Sequence, residues 1–108
     1  MLFEVIAEDA VWEVVGTAPV ARRYSGRDDI FELFRATRRL TGGTYTSDLQ
    51  WAIADGDHAV ALYRASGRRL GRELDIEQLL LITLSDGRWQ HVLALPTDPA
   101  AFEAFWAD

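Results

Sequence analysis

From Thr44 onward the chain alternates apolar and polar residues with a period of two, broken only where turn-forming residues stand. Such alternation belongs to half-buried strands, because successive side chains point to opposite faces of a sheet. It predicts strands at about Thr44–Ala54, His58–Ser66, Leu74–Leu84 and Arg88–Leu95. Between them stand Asp55-Gly56, a loop around Gly67 to Arg72, and Asp86-Gly87. Asp-Gly between apolar runs is a strong hairpin signal, since both central residues must tolerate positive φ. Three hairpins in succession give an antiparallel meander.

The first third of the chain supplies what covers that sheet. Met1 to Ala7 reads as the last turns of a shortened N-terminal helix, with Leu2, Phe3 and Ile6 on one side. AVWEVV then has the β-branched and aromatic content of a strand. Its alternation puts Val11, Glu13 and Val15 on one face and Ala10, Trp12 and Val14 on the other. Gly16 to Arg23 is a loop, with a short edge strand ending near Tyr24. Ser25-Gly26-Arg27-Asp28 fits a capping box, in which the serine caps the helix and Asp28 reaches back. The helix over Asp28–Leu40 carries its buried stripe at Ile30, Leu33, Phe34, Thr37 and Leu40, with Arg35, Arg38 and Arg39 facing outward. Gly42-Gly43 stops it. Asp98-Pro99 starts a final short helix whose apolar face is Phe102, Phe105 and Trp106.

This order specifies an α+β fold: a strongly curved antiparallel sheet wrapped around helices, in one domain over residues 1–108. A lone sheet covered by two short helices has to curl, and a curled sheet leaves a pocket. The composition narrows the chemistry. There is no cysteine, which removes thiol catalysis and thiolate metal sites, and the two histidines have no partners at ligand spacing, so no metal and no cofactor is expected. All 11 basic residues are Arg, so lysine chemistry is absent too. A net charge of −6 argues against nucleic acid, and no apolar run is long enough to span a membrane. Arg64, Arg68, Arg69 and Arg72 gather at one hairpin tip and read as a solvated cluster. The expected location is cytoplasmic.

Four segments, AEDAVWEVVG, YSGRDDIFELF, LSDGRWQHVLAL and PAAFEAFW, together resemble the nuclear-transport-factor-two-like superfamily, in its SnoaL-like polyketide cyclase and ketosteroid isomerase branch. The resemblance spans nearly the whole chain and implies a cone-shaped sheet around a ligand pocket. It places Glu13 where the isomerases carry their general base. Their second acid would fall at about Leu80 and the cyclases' aspartate at about Ala94, and neither side chain can do that work. The branch's tyrosine-bearing N-terminal helix is largely lacking. Superfamily members span isomerases, cyclases, dehydratases, epoxide hydrolases and binding modules, so the likeness is specific for fold and weak for reaction.

Two readings of Glu13 follow. It is a pocket carboxylate, raised in pKa by apolar neighbours and able to take a proton beside a carbonyl, or it is a half-exposed strand residue paired with an arginine. On strand Leu74–Leu84, alternation sets Leu74, Ile76, Gln78, Leu80 and Ile82 on one face against Leu79 and Leu81 on the other. On the last strand the resemblance turns Gln90, Val92 and Ala94 to the pocket and Trp89, His91 and Leu93 outward. The expected pocket is therefore Val15, Phe31, Phe34, Trp51, Tyr63, Ile76, Gln78, Leu80, Gln90, Val92 and Ala94, with Trp51 and Tyr63 at its rim. Glu13, Gln78 and Gln90 are its polar groups, unless the glutamines satisfy each other. Large residues at Leu79, Leu81, Trp89, His91 and Leu93 on an outer face point to a homodimer. The expected ligand is small and apolar, with a carbonyl. The rival expectation is a non-catalytic binding or dimerisation module of the same fold.

Overall fold

The computed structural model describes residues 5–108. Its elements run β1 (Ile6–Val14), β2 (Arg23–Ser25), α1 (Arg27–Leu40), β3 (Thr46–Asp55), β4 (His58–Arg69), β5 (Arg72–Ser85), β6 (Arg88–Pro96) and α2 (Pro99–Trp106). Of the helical turns expected over Met1–Ala7, residues 1–4 lie outside the described residues, Val5 is helical, and Ile6 and Ala7 open β1.

The six strands form one sheet in the order β2-β1-β6-β5-β4-β3, curved but not closed. The meander β3 to β6 is antiparallel as expected, and β2 pairs antiparallel with β1 between Tyr24 and Trp12. The sheet is nevertheless mixed, because β1 and β6 run parallel. The helix and the whole meander separate these two strands in sequence, so β6 returns alongside β1 in the same direction.

The first hairpin turns one residue later than expected, at Gly56-Asp57, because Asp55 still pairs with His58 in the ladder and only Gly56 has positive φ, at 59°. Asp86 and Gly87 both have positive φ, at 52° and 75°, as the Asp-Gly reading requires. The β4–β5 connection is tighter than expected: both strands extend to a turn at Leu70-Gly71, with φ of 53° and 76°. Helix α1 begins one residue early, at Arg27, after Gly26 at φ 89°. The capping box does not form there: no side chain caps the first turn, and the Asp29 carboxylate, not Asp28, accepts from the Ser25 amide at 3.0 Å. Ser25 is occupied as the last residue of β2.

Three irregularities bend the ladder and reset its alternation. Register shifts occur between Leu49 and Trp51 on β3, between Thr83 and Leu84 opposite Gln90 on β6, and between Ile6 and Val11 on β1. The last two face each other, and the Gln90 side chain donates to the Asp9 carboxylate at 3.0 Å.

Two apolar clusters share the concave side. In the first, Ile30 and Leu33 of α1 pack on Trp12, Ala61, Leu80, Ile82, Val92 and Ala94 of the sheet. In the second, Phe102, Phe105 and Trp106 of α2 pack on Ala65, Leu74 and Ile76 and on Ala18 and Val20 of the loop after β1. Val14 and Tyr63 touch both. Leu40, expected in the buried stripe, is 39% exposed at the end of α1.

Candidate functional site

A cavity of about 620 Å³ lies at the seam between these clusters. Its floor is sheet: Trp12 and Val14 of β1, Ala61 and Tyr63 of β4, Gln78 and Leu80 of β5, Trp89 and Ala94 of β6. Leu33, Phe34, Thr37 and Arg38 of α1 form one wall, and Phe102 and Trp106 of α2 form another. Val20 enters from the loop, which Tyr24 fixes by donating to the Val20 carbonyl at 2.7 Å. Tyr45, Ser47 and Leu49 complete the lining from β3 and the residue before it. Arg38, Ser47 and Leu49 are the exposed members of this set, so the mouth lies between the C-terminal turn of α1 and the edge strand β3.

The walls are mainly aromatic. Trp12 meets Phe34 edge-on with ring centroids 5.2 Å apart, and stacks beside Trp89 at 6.3 Å. Each such pair adds about 0.5–1.5 kcal/mol beyond its buried area, which fixes the shape of that end of the cavity.

The polar groups collect at one place. Tyr63 and Gln78 are register partners across β4 and β5, and the Tyr63 hydroxyl donates to Gln78 Oε1. Gln78 is buried, and its Nε2 has no partner among the described residues, leaving a donor open to the cavity. Tyr45 is the neighbouring phenol and acts electrostatically on Tyr63. Burial holds the Tyr63 phenol well above the ordinary tyrosine range, with the Tyr45 oxygen adding to the effect. Burial also raises Tyr45, against the opposing influence of Ser47 and Tyr63. Both phenols therefore stay protonated and neutral at neutral pH.

The expected site residues divide cleanly. Phe34, Tyr63, Gln78, Leu80 and Ala94 line the cavity. Leu80 and Ala94 are direct register partners, so the two positions where the resemblance places family acids stand side by side on the cavity floor. Ile76 and Val92 face inward but are buried in the two clusters. Phe31 packs beside Phe34 at 5.8 Å without reaching the cavity.

Glu13 is a correction. Trp12 and Val14 point into the cavity, so Glu13 between them points away, and its Oε1 accepts from Arg23 Nη1 at 3.3 Å, with His91 Nε2 at 3.7 Å. Val15 is likewise not a lining residue and is 43% exposed. Trp51 is displaced by the bulge at Gln50: it pairs with Leu62 on the convex face, while Leu49, before the bulge, lines the mouth. The bulge at Gln90 does the same on β6. Gln90 binds Asp9 instead of the cavity, and Trp89, expected in the interface, turns inward. Leu79, Leu81, His91 and Leu93 lie on the convex face. His91 meets Glu13 there.

Sequence reasoning missed most of the lining, including Trp12, Arg38, Tyr45 and Trp89. A signal existed for Tyr45, which shares strand parity with Ser47 and Leu49. Among the described residues no group of His, Asp and Glu is arranged to hold a metal ion, and no helix is long and apolar enough to cross a membrane.

Comparison with known proteins agrees with this architecture. The family model of a SnoaL-like domain matches residues 1–92. An uncharacterised protein of Mycobacterium tuberculosis is 31% identical over 107 residues, spanning 98% of this chain and 82% of its own length. Among solved structures, Bal32a from a soil-derived mobile gene cassette superposes with a TM-score of 0.91 at 27% identity, over 95% of this chain and 79% of that one. A putative SnoaL-like polyketide cyclase from Jannaschia sp. CCS1 superposes at 0.73 with 17% identity, over 99% and 77%, and shares the fold. The curved α+β sheet is thus of the nuclear-transport-factor-two-like type, and the chain belongs to the SnoaL-like domain family.

Proposed function

We propose that this protein binds a small, largely apolar molecule whose carbonyl, or an equivalent acceptor, is held at Gln78. The observation that carries this reading is the free Nε2 donor of a buried amide in an otherwise apolar cavity of about 620 Å³. That volume falls within the range of small-molecule sites, about 300–1,000 Å³, and such sites combine apolar walls with a few placed polar groups. Tyr63 takes the amide oxygen and so orients the amide nitrogen toward the ligand.

The reading is one of binding without proton transfer. No Asp, Glu or His is among the described lining residues, and the two phenols are held protonated. Isomerase- or cyclase-type chemistry would need a base in the cavity, and the Glu13 carboxylate stands on the opposite face in its ion pair with Arg23. The family's non-catalytic mode therefore fits this geometry better than its enzymatic one. Neutral anilinonaphthalene, which fluoresces in apolar sites, tests the cavity. Decanone should displace it, and Gln78→Leu should weaken decanone about three- to tenfold, the worth of one hydrogen bond, while sparing the dye. Unchanged decanone affinity in Gln78→Leu overturns the assignment.

The convex face supports a second copy of the chain as partner. Ile53, Val60, Leu81 and Leu93 form one continuous row across β3 to β6, and Trp51, Leu62, Leu79 and Leu95 form the next. Ile53 is 65% exposed, Trp51 44% and Leu81 38%. Apolar rows of this extent on a sheet face are what a self-complementary interface covers.

A further inference from the structure

We infer that the ligand is an anion, an acid whose apolar body fills the cavity while its charged group pairs with Arg38 at the mouth. This rests on the cavity being a ligand site and adds the class of molecule that it takes.

Arg38 is the one charged residue among the described lining residues. Its neighbours on α1 are already committed: Arg35 pairs with Glu32 at 3.0 Å and Arg39 with the same carboxylate at 3.5 Å. Arg38 makes no ion pair with any described residue, although the chain carries 17 acidic groups against 11 basic ones. Its backbone is held, since its carbonyl accepts from the Gly43 amide at 2.7 Å and the Thr41 hydroxyl at 3.2 Å. A guanidinium with no ion-pair partner among the described residues is therefore presented at the rim. A guanidinium offers a planar fork of donors that matches a carboxylate or sulfonate.

The rest of the cavity agrees with the sign. No lining carboxylate repels an anion, and the neutral donor of Gln78 lies on the floor, away from Arg38 at the mouth. The site thus reads one end of a molecule by charge and the other by a neutral hydrogen bond, with aromatic walls between. Against an overall charge of −6, the cation at the mouth supplies a local attraction for an anion that no lining carboxylate cancels.

Two dyes of the same apolar body test this, neutral anilinonaphthalene and anilinonaphthalene sulfonate, titrated by fluorescence into the whole protein. In the wild type they should displace each other. Arg38→Met should weaken the sulfonate about tenfold, Arg38→Lys should restore most of that loss, and the neutral dye should stay within about twofold throughout. Equal sulfonate affinity in wild type and Arg38→Met, with the neutral dye still bound, overturns the anion assignment and leaves the cavity reading standing. Two dyes that bind together without competing overturn it as well. Failure of both dyes to bind the wild type overturns the cavity reading and this inference with it.

Discussion

Tyr63 donates its hydroxyl proton to Gln78 Oε1 directly across the β4–β5 ladder, on the floor of the cavity. The bond joins the site to the stability of the fold, because Tyr63 packs against both apolar clusters. Tyr63→Phe should cost about 1–2 kcal/mol, since it leaves the Gln78 oxygen without its partner. The same pair predicts how stability responds to alkali. Burial raises the Tyr63 pKa in the native state, so the native protein keeps a proton that the unfolded chain releases above about pH 10. The stabilisation is complete below the unfolded pKa and is lost as pH rises through the native one. Thermal melts between pH 8 and 11 should show the wild type losing stability more steeply than Tyr63→Phe; parallel curves would remove the buried phenol as the cause.

Acid should act through Asp29. Its side-chain hydrogen bonds with Arg22, then the Ser25 amide, hold its carboxyl below the usual range. A depressed native pKa gives stability that is present above the unfolded pKa, about 3.9, and is lost as pH falls through the native value. Asp29→Asn should therefore melt below the wild type at pH 7, with the gap closing toward pH 2. A gap that persists in acid would mean that the substitution disturbs α1 by some other route.

Trp12 closes one end of the cavity and is buried at 6% exposure. Trp12→Ala should cost about 3–5 kcal/mol, measured as a fall in the urea midpoint with little change in slope. Val11→Ala, on the other face of the same strand, should cost far less. Comparable losses at the two positions would contradict the face assignment of β1.

That face assignment is where the sequence was least legible. Strand positions were readable because turn-forming residues separate the alternating runs, although the β4–β5 turn at Leu70-Gly71 read as a longer loop, and the inward face of β5 was readable because Leu74 to Ile82 contains no bulge. On β3 and β6 one extra residue, Gln50 and Gln90, shifts the parity of everything beyond it, and a bulged glutamine looks in sequence like any strand glutamine. On β1 the alternation was right but its sense was open, because AVWEVV is apolar on both faces apart from Glu13. What decides it is Arg23 on the neighbouring strand β2, which meets Glu13 only in the folded sheet. Arg38 was hidden for a similar reason. A helical stripe reads it as outward, and so it is, but outward at that turn is the mouth of the cavity.

The convex rows predict the oligomeric state. Leu81→Arg places a charge at the centre of the Ile53–Val60–Leu81–Leu93 row. Sedimentation at micromolar concentration should give a dimer for the wild type and a monomer for the variant, with circular dichroism unchanged. A wild type that already sediments as a monomer sinks the proposed interface.

Glu13 separates the binding reading from the enzymatic one. Its carboxylate lies on the convex face, 3.3 Å from Arg23 Nη1 and 3.7 Å from His91 Nε2, with the body of the sheet between it and the cavity. A group so placed has no path to a proton on a molecule held against Gln78. Glu13→Gln should therefore leave the affinities of anilinonaphthalene and decanone within about twofold of the wild type. Gln78→Leu, by contrast, should weaken decanone about three- to tenfold. A larger loss in Glu13→Gln than in Gln78→Leu would return the carboxylate to the site, and a base would again be available for chemistry.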